Sequence, residues 1–242
     1  MKKRVQEFLT SRVDNSWLPL LSEALLQLDP SYLEFVLEDN SYIPNQNKLF
    51  NAFKTLPKER VKYILFGQDP YPREQSAIGY AFIDGAVKNI FSESGLSKEV
   101  NRATSLRNFI KMALVADGRL SLEDTSQTAI AALDKSDLIE TIEELKSNFE
   151  KQGVLLLNTA LLFTDKRDSK RHIKAWEPFT RYLLENLDNT IELILFGNHA
   201  KEIIKKFQPK QKSTLLPHPY NTSFISLKEC HTLFAPLSLL KR

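Results

Sequence analysis

Cysteine occurs once in this chain, at Cys230. That scarcity excludes an internal disulfide framework and any zinc or iron–sulfur site built from several thiolates. The lone thiol reads as a small buried hydrophobe. Glycine is sparse too. The seven glycines never form G-x-G-x-x-G, and no G-x-x-x-x-G-K-[ST] occurs, so a dinucleotide or P-loop site would lack its phosphate cradle. No G-x-S-x-G elbow is present for a serine hydrolase. The four histidines, His172, His199, His218 and His231, show no metal-ligand spacing. No stretch approaches the roughly 18 apolar residues of a membrane span. The opening residues MKKRVQEFLTSR carry signal-peptide charges without an apolar run after them, which points to the cytoplasm. The net charge is only +3, so the placement of charge matters more than its sum.

What is present suits one sizeable core. The chain has 242 residues, 42% hydrophobic and 26% charged, an ordinary soluble balance. Residues 1–57 read as helical, with Trp17, Leu20, Leu21, Ala24 and Leu25 at helical spacing and Pro19, Pro30 and Pro44 as punctuation. Four short apolar runs read as strands, at about 61–66, 154–157, 191–196 and 213–216. Between the first two lies a long section, 92–150, with no strand-like run. There Leu106, Phe109, Ile110, Ala113 and Leu114 form one amphipathic face, and Leu138, Ile142, Leu145 and Phe149 another. Asp137 with Glu140 three residues on gives the second helix a capping-box pattern. A helix near 176–187, another from about 199 to 207 with Ala200, Ile203 and Ile204 as its apolar face, and a last one near 226–235 complete the reading. Strands separated by helices predict an α/β fold, a three-layer α/β/α arrangement with a central four-stranded parallel sheet. No repeat or linker interrupts it, so 1–242 is expected to be a single domain with a helical insertion at about 92–150.

In such sheets ligands sit beyond the carboxyl ends of the strands. Those ends carry Gln68, Asp69 and Tyr71, then Asn158, then Asn198 and His199, then His218. A lone carboxylate and lone histidines, with amides and a phenol, suit a reaction whose leaving group departs as an anion. Singly, each has a plainer role: Asp69 in turn chemistry, Asn158 as a turn residue, Phe82 in the core, His218 as a loop histidine. Their order and spacing together argue otherwise.

The stretch Gly67-Gln68-Asp69-Pro70-Tyr71, with Gly79-Tyr80-Ala81-Phe82 downstream, resembles the first motif of uracil-DNA glycosylases of the family 1 type. Leu155 to Thr159, Trp176-Glu177-Pro178-Phe179-Thr180, Leu195-Phe196-Gly197 and His218-Pro219 are similar to that family's later motifs, over about residues 43–223. The resemblance implies hydrolysis of the N-glycosidic bond of deoxyuridine in single- or double-stranded DNA, by a monomer without metal or cofactor and away from membranes. It implies Asp69 and His218 as catalytic groups, with Asn158, Phe82, Tyr71 and Gln68 holding the base. The pattern departs at Pro72, where the family has His, and at Asp84 to Val87. It departs again at Tyr220-Asn221-Thr222-Ser223, where the leucine that would wedge into the duplex aligns with Thr222 beside Ser223; Tyr220 and Phe224 are the alternative wedges. The 92–150 section is longer than the family's. Independently, Lys166, Arg167, Lys170, Arg171 and Lys174 crowd the segment after the second strand, a phosphate-binding pattern if it lies at the active edge and otherwise a solvated face. A catalytically weak DNA-binding or replication subunit, a glycosylase for another deaminated base, and a nucleoside hydrolase are the competing readings.

Overall fold

The computed structural model describes the backbone of residues 1–242 and every side chain except those at 199–201, 203 and 204. The expected rim histidine His199 and the apolar face of Ala200, Ile203 and Ile204 lie outside the described residues.

The six strands in chain order are β1 (Tyr63–Gly67), β2 (Phe91–Ser92), β3 (Gly95–Leu96), β4 (Val154–Asn158), β5 (Glu192–Phe196) and β6 (Ser213–Leu216). A four-stranded sheet runs in the order β4-β1-β5-β6. β1 is parallel to both of its neighbours, with Gly67 opposite Asn158 and Tyr63 opposite Glu192. Every residue of β4 is buried, as are Ile64, Leu65 and Phe66 of β1. Burial on both faces explains why these strands read as unbroken apolar runs instead of alternating ones. Helices flank the sheet, so the α/β expectation holds.

The chain divides into two compact units. The first comprises 1–84, 153–195 and 199–214. Helices Lys2–Leu9, Leu18–Leu25 and Pro30–Glu38 open it, and Trp17, fully buried, donates its indole N–H to the Leu56 carbonyl at 2.7 Å. The helix expected near 176 starts instead at Ser169 and ends at Asn186. Pro178 stands in the helix interior. A turn leads into the helix, the Asp165 carboxylate accepting from the backbone of Arg167 at 2.7 Å and of Asp168 at 3.3 Å, with Asp168 as the N-cap residue. Buried His172, Trp176, Phe179 and Leu183 continue one inward face through both parts, while Lys170, Arg171 and Lys174 stay exposed. What looked like a charged loop is in part the first two turns of a helix.

The second unit comprises 85–152, 196–198 and 215–242. It holds helices Thr104–Ala116, Ile142–Lys151 and Lys228–Phe234. The section expected to lack strands contains the antiparallel ribbon β2–β3, two residues in each strand, too short for an alternating pattern to register. The capping box also moves: Thr141 and Glu144 form it, not Asp137 and Glu140. Asp137 is occupied by an ion pair with Arg119. Phe109, Phe149, Phe196, Phe224 and Phe234 make an aromatic core, with Phe109 and Phe234 edge-to-face at 5.1 Å. Cys230 is fully buried, and desolvation raises its thiol pKa to about 12, as expected for an inert core thiol.

Candidate functional site

The first unit gathers most of the predicted residues at the ends of β1 and β4. In register opposite Asn158, Gly67 has no room for a side chain: an added Cβ would stand 2.2 Å from Asn158 Oδ1 and 2.9 Å from the Ala81 Cβ. The glycine therefore lets the Asn158 amide lie across the end of β1. That residue is only 8% exposed, and its amide has no hydrogen-bond partner among the described residues. The residue is buried as a whole, yet solvent reaches its amide at the strand end, so the group is open to a ligand there.

Backbone bonds lock the turn that follows. Thr159 N donates to the Gly67 carbonyl at 3.0 Å, while Ala160 N and Thr159 Oγ1 donate to that of Gln68 at 3.0 and 2.8 Å. Gln68 projects its side chain into the open. Asp69 is half-buried and accepts a hydrogen bond from Ser169 Oγ. Sequence reasoning missed Ser169 because its only signal is three-dimensional: it lies a hundred residues away, at the first position of a helix whose start was misplaced.

Tyr71 and Phe82 form a second pair. Tyr71 donates its hydroxyl to the Phe82 carbonyl at 3.3 Å, and burial, then the Asp84 carboxylate, raises its pKa well above the ordinary phenol value. The phenol is a neutral, fixed wall at neutral pH. Phe82 holds a left-handed φ of 69°, a conformation costly for a bulky side chain and concentrated at functional sites. Ala81 N, one residue earlier, bonds the Leu156 carbonyl of β4 at 3.1 Å, so β4 carries both Asn158 and the anchor for Phe82. Lys170 and Arg171 are exposed beside Ser169.

His218, Thr222 and Ser223 belong to the second unit. Tyr220 N donates to His218 Nδ1 at 3.0 Å, which puts the proton of the neutral imidazole on Nε2. The ring keeps an exposed edge, and burial of the remainder lowers its pKa from the ordinary histidine value. Gly197, at φ 72°, would bring a Cβ to 3.1 Å from that of His218. Asn108 supports the loop from beneath, donating to the carbonyls of Pro219 at 2.7 Å and Tyr220 at 3.3 Å. Thr222 and Ser223 are exposed. Phe224, an alternative wedge by sequence, is 0% exposed and packed on Phe109, Phe196 and Phe234, so it is excluded from that role. Tyr220 is 67% exposed.

Residues 53–235 match the family model described as the uracil DNA glycosylase superfamily. The chain belongs to that superfamily. The wild-type UNG crystal structure from Nitratifractor salsuginis is 55% identical, with a TM-score of 0.96 over 99% of this chain and 98% of that one. A uracil-DNA glycosylase of Campylobacter jejuni is 25% identical over 228 residues, covering 91% of this chain and 80% of its own length. One from Borrelia hermsii is 27% identical over 195 residues, covering 78% and 73%. The mimivirus uracil-DNA glycosylase structure, 18% identical with a TM-score of 0.54, shares the fold.

Membership of the superfamily gives the strand-end cluster its chemical context. Among the described residues no group of three or more His, Cys, Asp or Glu could hold a metal ion, and no helix is long and apolar enough to cross a membrane.

Proposed function

We propose that this chain hydrolyses the N-glycosidic bond of deoxyuridine in DNA, releasing uracil for base excision repair. The observation that supports the reading is the solvent-reached Asn158 amide laid across Gly67, two residues from Asp69.

A base inside the duplex is out of reach, so the nucleotide leaves the stack first, at a cost of a few kcal/mol. Phe82 stacks on the extruded ring. Asn158 supplies one donor and one acceptor to the Watson–Crick edge of uracil. Tyr71 fills the space beside C5 and excludes the thymine methyl, and Gln68 adds polar contacts. The C1′–N1 bond then breaks with its electron pair on uracil, leaving an oxocarbenium-like sugar. His218 donates its Nε2 proton in a hydrogen bond to O2 of the departing anion. Asp69 stabilises the sugar cation and orients the water, whose oxygen bonds to C1′ as its proton passes to the carboxylate. Thr222 and Ser223, with Lys170 and Arg171, contact the DNA strand. This chemistry draws on no metal or cofactor. We take the protein to work as a cytoplasmic monomer, a single glycosylase domain elaborated at 92–150.

The test is release of uracil from single- and double-stranded oligonucleotides, read by alkaline cleavage of abasic sites with EDTA present. Asp69→Asn and His218→Ala should each lower turnover by about a hundredfold or more. Because burial lowers the His218 pKa, its reactive neutral form persists below the ordinary histidine range. The acid limb it sets for kcat should therefore lie below that range, and activity should fall only as the pH drops further. No release from either substrate would overturn the reading; release of hypoxanthine or xanthine instead would reassign the base.

A further inference from the structure

A cleft of about 500 Å³ lies wholly within the second unit, between helix Thr104–Ala116, the 122–127 segment and the 222–226 loop. Its size is that of a small-ligand site. Arg107 and Lys111, four residues apart on one helix face, both line it. Arg107 is held in place, its Nη1 donating to the Asn101 carbonyl at 3.0 Å. Lys111 has no hydrogen-bond or ion-pair partner among the described residues. Burial and the adjacent guanidinium lower its pKa from the ordinary lysine value. The carboxylate bearing on it, Asp124, is already bonded to Ser126 N at 2.9 Å.

Two cations placed side by side, one unpaired, are unfavourable in the free protein and ready for an anion. Thr222 and Ser226 line the same space, the Ser226 hydroxyl donating to the Ser223 carbonyl at 3.4 Å. Leu122, 48% exposed, stands at its edge, and Tyr220, 67% exposed, belongs to the loop that Asn108 of the same helix supports. Cations and hydroxyls for a backbone, with apolar and aromatic surface for a sugar or base, are the parts of a single-strand nucleic-acid groove.

We propose that this cleft binds the phosphodiester backbone of the DNA strand flanking the target nucleotide, through Arg107 and Lys111. The inference rests on the reading of the chain as a DNA glycosylase, and it makes the 92–150 insertion a second grip on the strand. That grip reads no sequence, because phosphate contacts carry none.

The experiment compares wild type with Arg107→Gln/Lys111→Gln. Binding of a uracil-free single-stranded oligonucleotide is followed by anisotropy between about 50 and 200 mM salt, where phosphate contacts dominate the response. The slope of log K against log salt should flatten by about 0.7 for each phosphate the variant no longer neutralises. KM for uracil release from a long oligonucleotide should rise about tenfold. An unchanged slope with unchanged KM on the long substrate would overturn the proposal. So would thymidine monophosphate competing as well as the oligonucleotide at equal phosphate concentration, since that marks a simple anion site. If the double variant does not fold, Lys111→Gln alone should flatten the slope by about one phosphate's share, and no flattening would again overturn it. A wild type that binds with the Arg107- and Lys111-dependent slope but releases no base would sink the glycosylase reading and leave the cleft assignment standing.

Discussion

At the scale of single residues, Ser169 is the informative one. A hydroxyl hydrogen-bonded to a carboxylate is worth about 1.5–3 kcal/mol, and here it holds Asp69, the proposed catalytic carboxylate. Ser169→Ala should therefore lower kcat by roughly ten- to a hundredfold with KM little changed, and Ser169→Thr should restore much of it. A loss confined to KM would make Ser169 a DNA contact instead. The loop after His218 poses a second question. A short hydroxyl at 222 fills a vacated stack poorly, whereas the exposed Tyr220 ring can stack there. Tyr220→Ala should slow U·A and U·G duplexes more than single strands; Thr222→Leu should speed the duplexes. Rates that respond at 222 and not at 220 would assign the wedge to Thr222.

At the scale of elements, the site depends on how β1 ends against β4. Gly67 is needed for space: a Cβ there meets Asn158 Oδ1 at 2.2 Å, far inside van der Waals contact. Gly67→Ala must push the amide aside. Overpacking of this kind costs about 1–3 kcal/mol of stability, which a chain of this size tolerates. Uracil release, by contrast, should fall at least a hundredfold, because positioning errors of about an ångström cost that much. Thermal melting beside kinetics separates the two. A variant that melts normally and keeps its rate would remove Asn158 from base reading. The same pair of strands explains Phe82, whose left-handed backbone is held by the Ala81–Leu156 bond on one side and the Tyr71 hydroxyl on the other.

At the scale of the whole molecule, the net charge of +3 understates the affinity expected for a polyanion. Lys170 and Arg171 are exposed at the start of the helix whose first residue, Ser169, bonds Asp69, so these cations follow in sequence the residue that holds the proposed catalytic carboxylate. Neutralising both should weaken binding to all DNA sequences and flatten the salt dependence by about two units of slope. Anisotropy titrations on duplexes of two unrelated sequences would show it. An unchanged slope would return these side chains to a solvated face.

The sequence by itself determined the four sheet strands, to within a residue or two, because both-face burial writes an apolar run that polar turns delimit. It also placed Gln68, Asp69, Tyr71, Asn158 and His218 after strand ends, while Phe82 entered through the resemblance to the family; their roles are proposals. Only the tertiary structure decided what depends on contacts between distant segments. Ser169 reaches Asp69 because the helix expected near 176 starts seven residues earlier, at Ser169. Phe224 left the wedge question because three other phenylalanines bury it. Arg107 and Lys111 became neighbours of the Thr222 loop because Asn108, between them in sequence, is tied to the backbone of Pro219 and Tyr220. Periodicity records which face of an element is buried; it holds no record of which partner buries it.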